Sequence, residues 1–346
     1  MDDPIFYGNV PQEYSIENEV KPNSKITNHN KNKEDLATKL KLCIKKNKVD
    51  LANICAIELL TSGGYTILWD TLYEILIENF MVLLVPKLLD IILDEYQLTN
   101  NIKTKQVHSQ KDLHNNQEIR NHIAYVVTLL CLCPKNYYDI KCKTNLETEW
   151  KNIKEADLIE LDANAKKYMT KYTAKRSYDK VILTDISKFL YCIKNKPITC
   201  IQPISTMIQR DIQIPTKIKD NIFLKHIPKS MENNISWILW FIIDDMKQKE
   251  VKATDEHLTN LNNLICGLQT LYIIMYRRKK YTYATLTIIT AIMAIKYHEN
   301  IIWDAQVPVQ SPVMLKLIAT INILYKNIYK DKKFLKNAFT EIDKLT

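Results

Sequence analysis

From Glu34 onward, apolar residues recur at helical spacing and rarely stop doing so. Leu36, Leu40, Cys43 and Ile44 fall on one helix face, and Ala52, Cys55, Ala56, Leu59 and Leu60 on the next. Thr61-Ser62-Gly63-Gly64 reads as the stop of that second helix, with glycine supplying the left-handed position just past its end. Leu68, Leu72, Ile75 and Leu76 mark a third helix. Pro86 fits the first turn of a fourth, which carries Leu88, Ile91, Ile92 and Glu95. Residues 99–113 read as a polar loop. Asn115 and Glu118 then stand at capping-box spacing and open an amphipathic helix through Ile119, Ile123, Val126, Val127 and Leu130, which Pro134 ends. Residues 135–150 have no clear period.

A polar, lysine-rich helix is expected near 150–171, and Ile182, Ile186, Phe189, Leu190 and Ile193 form a further apolar stripe closed by Pro197. Residues 197–232 hold Pro197, Pro203, Pro215 and Pro228 and break the period most strongly. After them come four or five helices, the last carrying Phe334, Leu335, Ala338, Phe339 and Ile342. No segment alternates in the manner of a strand. The expected fold class is therefore all-α: a multi-helix bundle or stacked helical hairpins in two packed subdomains. The expected division is a disordered tail over 1–33, an N-terminal helical domain over 34–196, a proline-rich connection over 197–232 and a C-terminal helical domain over 233–346.

Composition narrows the function classes. The chain has 346 residues and four glycines, Gly8, Gly63, Gly64 and Gly267, where about 24 would be usual. No glycine-rich phosphate loop can be written with them, which excludes P-loop, dinucleotide-fold and kinase-type nucleotide sites. Between Lys280 and Lys296 lie 15 uncharged residues, several of them threonine, too short a run for the ~20 apolar residues of a membrane span. This segment reads as a central helix of a bundle. The eight cysteines form no CxxC pair, and Cys43, Cys55 and Cys266 lie on apolar faces, so reduced thiols and an intracellular, non-secreted protein are expected.

The net charge of +9 is uneven: residues 146–232 carry 16 basic and 11 acidic side chains, and 233–346 carry 15 and 10. That excess leaves room for a polyanion. Lysine supplies 43 of the 48 cations, a bias shared with AT-rich genomes, so lysine count alone does not specify nucleic acid. The first candidate contact is Arg277, Arg278, Lys279, Lys280 and Tyr281, with Tyr276 and Tyr283 beside them: cations for phosphates and rings for bases. The alternative is a solvated turn whose cations serve a helix C-terminus. A second cationic stripe is Lys166, Lys167, Lys171, Lys175, Arg176 and Lys180, interleaved with Tyr168, Tyr172 and Tyr178. Glu118 and His122 are one turn apart, and Asp244-Asp245 follows WILWFII, but each reads more simply as a surface pair or a polar helix edge. Neither a catalytic site, a metal site nor a cofactor is implied. Trp237, Trp240 and Phe241 on WILWFII are candidate protein-interface residues, with core burial as the alternative.

Residues 36–142 carry a basic helix, a short turn at Asp50, a helix stopped at Gly63, an apolar helix with Trp69 and Glu78, and a later apolar helix closing at Pro134-Lys135. In that order they resemble the C-terminal helical collar of the MgsA/RarA group of clamp-loader-related AAA+ proteins. Ile77, Asn79 and Met81 depart from its pattern, and the AAA+ module has no counterpart here. The whole chain also resembles all-helical proteins of large DNA viruses. The resemblance implies a collar-like scaffold without its own ATPase. The functional expectation is thus a non-enzymatic scaffold or adaptor near DNA replication or repair machinery, self-associating or bound to a protein partner, with nucleic acid as a further partner of its basic C-terminal half. The alternative is a structural or virion-associated interaction protein with no nucleic-acid role.

Overall fold

The computed structural model describes residues 10–17, 24–107, 109–135, 153, 155–173, 180–195, 197–210, 234–251, 255–309 and 311–345. Among them are fifteen α-helices, three short 3-10 turns and no strand; Ile26 and Asn32 form an isolated bridge. The all-α class is what the chain adopts.

Two compact units emerge, one from residues 1–136 with 304–346, the other from 137–303. The first opens with α1 (Lys33–Lys45), α2 (Val49–Thr61), α3 (Tyr65–Glu78), α4 (Met81–Leu84), α5 (Lys87–Lys105), α6 (Gln110–Asn115) and α7 (Gln117–Leu132). The second holds α8 (Glu155–Tyr172), α9 (Lys180–Asn195), α10 (Ile201–Arg210), α11 (Trp237–Glu250), α12 (Asp255–Arg277) and α13 (Tyr281–Lys296). The chain then returns to the first unit with α14 (Pro312–Lys330) and α15 (Lys332–Asp343). This grouping departs from the expected division. The final two helices pack on α7 and α2 instead of continuing the C-terminal body, because Met314, Leu317, Ile321, Tyr325 and Ile328 find their burial there. Of the proline-rich connection, 197–210 form a 3-10 turn and α10, and 211–232 lie outside the described residues.

Helix ends follow a shared chemistry. Asn47, Gly63, Phe80 and Lys279 all take a positive φ, of 58° or below for the three non-glycine residues and 76° for Gly63. After α1, α2 and α12 the backbone closes with paired bonds, as where Gly64 N–H donates to Leu59 O at 2.7 Å and Gly63 N–H to Leu60 O at 3.2 Å. A chain this poor in glycine therefore stops three of these helices with asparagine, phenylalanine and lysine, at a strain of roughly 1–2 kcal/mol per left-handed side chain. At the other ends, Asn32, Ser109, Asn116, Ser311 and Asp331 accept hydrogen bonds from first-turn amides.

Three local expectations shift. α5 runs on to Lys105 through part of the expected polar loop, because Thr99 and Ile102 are buried and Tyr65 shares a 2.9 Å hydrogen bond with Thr99. The cap of α7 is Asn116, one residue beyond the expected Asn115. Asn115 turns instead to accept from Ile16 N–H at 3.0 Å and to donate to Ile16 O at 3.0 Å. The described parts of the expected tail are packed, with Val10, Ile16 and Thr27 buried. Their anchors are buried polar side chains of the helices. The His29 backbone N–H and the His29 Nδ1 meet the two oxygens of the fully buried Glu58, at 3.2 and 2.8 Å. Arg120, also fully buried, donates to His114 O, Asn322 Oδ1, Asn115 Oδ1 and Tyr14 O at 2.8–3.2 Å. No carboxylate among the described residues pairs with it; burial draws its pKa to about 10, and it stays protonated at neutral pH.

Candidate nucleic-acid interface

The site is built where α12 reverses into α13. α12 ends at Arg277, Arg278 and Lys279 form the turn, and Lys280 precedes the first residue of α13, Tyr281. Lys279 N–H donates to Tyr276 O and Lys280 N–H to Met275 O, both at 2.9 Å. This closure fixes four consecutive cations at the tip of a helical hairpin. Arg277 and Lys279 are exposed, and Arg278 and Lys280 are half-buried. The charges at 277 and 278 favour the C-terminal dipole of α12. Lys280 has the opposite relation to α13: it stands at the positive end of that helix, whose first turn contains no acidic residue and whose N-cap makes no side-chain bond. Helix electrostatics thus account for part of the cluster and oppose the rest.

Behind the cations runs a ladder of rings. Tyr281 lies 5.6 Å from Tyr276 at 58°, and Tyr276 lies 5.9 Å from Tyr272. Tyr272 meets Trp237 and Trp240 edge-on at 5.7 and 5.6 Å. Asn234 donates to the Tyr276 hydroxyl at 2.6 Å, and the Ser236 and Tyr272 hydroxyls are hydrogen-bonded at 2.5 Å. The tryptophans and the basic turn, two separate candidates in sequence, therefore belong to one packed structure. Trp237, Trp240 and Phe241 are at most 3% exposed. They form the interior of the second unit and offer no surface of their own to a partner.

Phe241 roots a second ladder. Its ring stacks on Tyr172 at 4.5 Å and 11°, and Tyr172 stacks on Tyr168 at 6.2 Å and 12°. Lys171 Nζ stands 4.8 Å over the Tyr172 ring. Lys166, Lys167 and Lys171 are exposed on α8, and Lys180 is exposed at the start of α9; Lys175, Arg176 and Tyr178 lie outside the described residues. Tyr168 donates to Asp245 at 2.6 Å, as does Lys249, also at 2.6 Å. Burial works to raise the Asp245 carboxyl, but these hydrogen bonds outweigh it and hold the group below the usual carboxylate range. A surface cleft of ≈ 460 Å³ opens beside Tyr168, between Asp157 and Glu160 of α8, Tyr191 and Lys194 of α9, and Lys249.

The other sequence candidates resolve into structural pairs. His122 Nδ1 meets Glu95 at 2.5 Å instead of Glu118. Asp244 pairs with Lys247 at 2.8 Å. No group of three or more potential metal ligands occurs among the described residues, and none of their helices is long and apolar enough to cross a membrane. Sequence pattern missed Arg120 and Glu58, because a buried charge on an apolar face looks the same in sequence as one at its edge.

Charge follows the units more sharply than the sequence halves. Residues 137–303 hold 26 basic and 18 acidic side chains, a net +8, while the remainder hold 22 and 21, a net +1. Nearly all the excess belongs to the unit that carries both ring ladders. The chain matches no protein-family model, no curated protein and no solved structure.

Proposed function

We propose that this chain is a non-enzymatic helical scaffold that serves DNA replication or repair machinery, with its second unit held against nucleic acid. The observation that carries this reading is the Arg277–Lys280 turn, where four cations sit at the end of a braced tyrosine ladder. Cations there neutralise phosphates, and the adjacent charge of the unit steers a polyanion toward it. The collar-like order of helices in residues 36–142 supports the scaffold half of the reading. On this reading protein assembly belongs to the first unit and the anion contact to the second.

The test is fluorescence anisotropy of labelled DNA with the full chain. Three or four phosphate contacts predict an affinity loss on the order of 40–150-fold for a duplex, or 20–50-fold for a single strand, between about 50 and 200 mM salt. Arg277→Glu combined with Arg278→Glu removes most of the binding and flattens the salt dependence. Absence of binding at about 50 mM salt refutes the nucleic-acid contact.

A further inference from the structure

We infer that the nucleic acid taken by the second unit is single-stranded. This rests on the proposed nucleic-acid contact and specifies its ligand. A duplex offers a side chain its phosphates and the edges of its bases, while the flat faces of the bases stay closed within the stack. A tyrosine hydroxyl can reach a duplex phosphate, but the face of its ring has no base to stack on there. Single strands expose base faces, and aromatic side chains beside cations are the general means of holding them without reading sequence.

Both basic segments of the unit have that composition. Tyr281 follows Lys280 directly and is half-buried, one part of its ring against Tyr276. Tyr276 is fixed by Asn234 and by Tyr272. Tyr168 is likewise half-buried, stacked on Tyr172 and bonded to Asp245, with Lys167 and Lys171 exposed nearby on α8. Each ring is thus held before any ligand arrives, so little side-chain entropy is left to lose when a base stacks on it. The ladders are rooted at Trp237 and Phe241, about one turn apart on α11. One helix therefore braces both rings: Tyr281 stands beside the four cations of the turn, while Tyr168 has Lys167 and Lys171 on α8 and the carboxylates of Asp157, Glu160 and Asp245 beside it.

The experiment compares a labelled 20-nucleotide oligo(dT) strand with a 20-base-pair duplex on the full chain, at about 50 mM salt. The single strand is expected to bind at least about fivefold more tightly. Tyr281→Leu is expected to lower single-strand affinity by at least about fivefold and leave duplex affinity unchanged, while Tyr281→Phe retains the single-strand affinity. Ultraviolet cross-linking of the unsubstituted chain to a bromodeoxyuridine-containing strand does not depend on a variant folding. Its adducts are expected at Tyr281 or Tyr168. Equal or tighter duplex binding overturns the single-strand inference and leaves the nucleic-acid contact standing. So does an adduct map that avoids both tyrosines, or a Tyr281→Leu variant that weakens both ligands alike. Failure of either ligand to bind removes both conclusions.

Discussion

The guanidinium carbon of Arg120 lies 3.9 Å from the centroid of the Tyr325 ring, and the buried Tyr325 hydroxyl has no hydrogen-bond partner among the described residues. The ring, not the hydroxyl, is what the cation uses. Arg120→Met keeps a long apolar stem but strands the carbonyls and amides that the guanidinium binds. It is expected to cost about 3–5 kcal/mol in urea unfolding. Tyr325→Phe keeps the ring and deletes a hydroxyl that pairs with none of the described residues, so its effect is expected between zero and about 1 kcal/mol of added stability. A Tyr325→Phe variant that loses more than about 1 kcal/mol would show that the hydroxyl is used.

His114 links the same node to pH. Burial depresses its pKa from 6.5 to about 4, with the nearby Arg120 charge adding to the effect and the bond to Ile16 O opposing it. The folded state therefore holds this ring neutral, while the unfolded chain takes up a proton near pH 6.5. Stability is complete above about pH 6.5 and is lost as pH falls toward 4, by about 3 kcal/mol at the lower limit. His114→Gln is expected to remove that part of the pH dependence. Urea unfolding of both proteins between pH 7 and pH 4 measures the difference; parallel curves would exclude His114 as its source.

Most helices were legible because they bury an apolar stripe, while α2, α3 and α13 are buried on nearly every side. Leu36, Leu40, Cys43 and Ile44, one face by their spacing, are all buried, and Gly63 takes the positive φ that a left-handed helix stop requires. What the pattern does not contain is which stripes meet. The period of α14 is the same whether the helix packs on α13 or on α7, and only the folded chain puts it on α7. Burial of WILWFII was similarly ambiguous, since an apolar helix is equally suited to a core and to a partner. The basic turn was visible as composition. The ladder behind it was not, because Tyr272 and Tyr276 join Trp237 through a contact spanning more than thirty residues of sequence.

The helix stops make a paired prediction. A Cβ on Gly64 would stand 2.8 Å from the Leu59 carbonyl oxygen, a backbone atom that cannot move without disturbing the end of α2. Gly64→Ala is expected to cost about 1–3 kcal/mol. Lys279 has φ 58° with a full side chain, so Lys279→Gly relieves left-handed strain and gives back part of that gain as unfolded-chain entropy. A net stabilisation on the order of 0.5–1 kcal/mol is expected. Thermal unfolding followed by circular dichroism reads both, and a neutral Gly64→Ala would mean the turn after α2 is soft.

Phe241 decides between a core and an interface for the WILWFII helix. Its side chain is 3% exposed and lies 4.5 Å from Tyr172 in a parallel stack. Phe241→Ala would open a cavity under that stack and is expected to cost about 3–5 kcal/mol. Tyr172→Leu keeps most of the volume and loses only the ring contact, a cost of about 0.5–1.5 kcal/mol beyond any repacking. The two effects should couple in a double-mutant cycle, because removing either ring leaves the other without its partner. A docking residue behaves differently: its truncation leaves the unfolding midpoint of the isolated chain unchanged and weakens association instead. Denaturation midpoints of the two single variants and the double variant, measured at several protein concentrations, separate these cases. A Phe241→Ala protein as stable as the parent would place this ring outside the core.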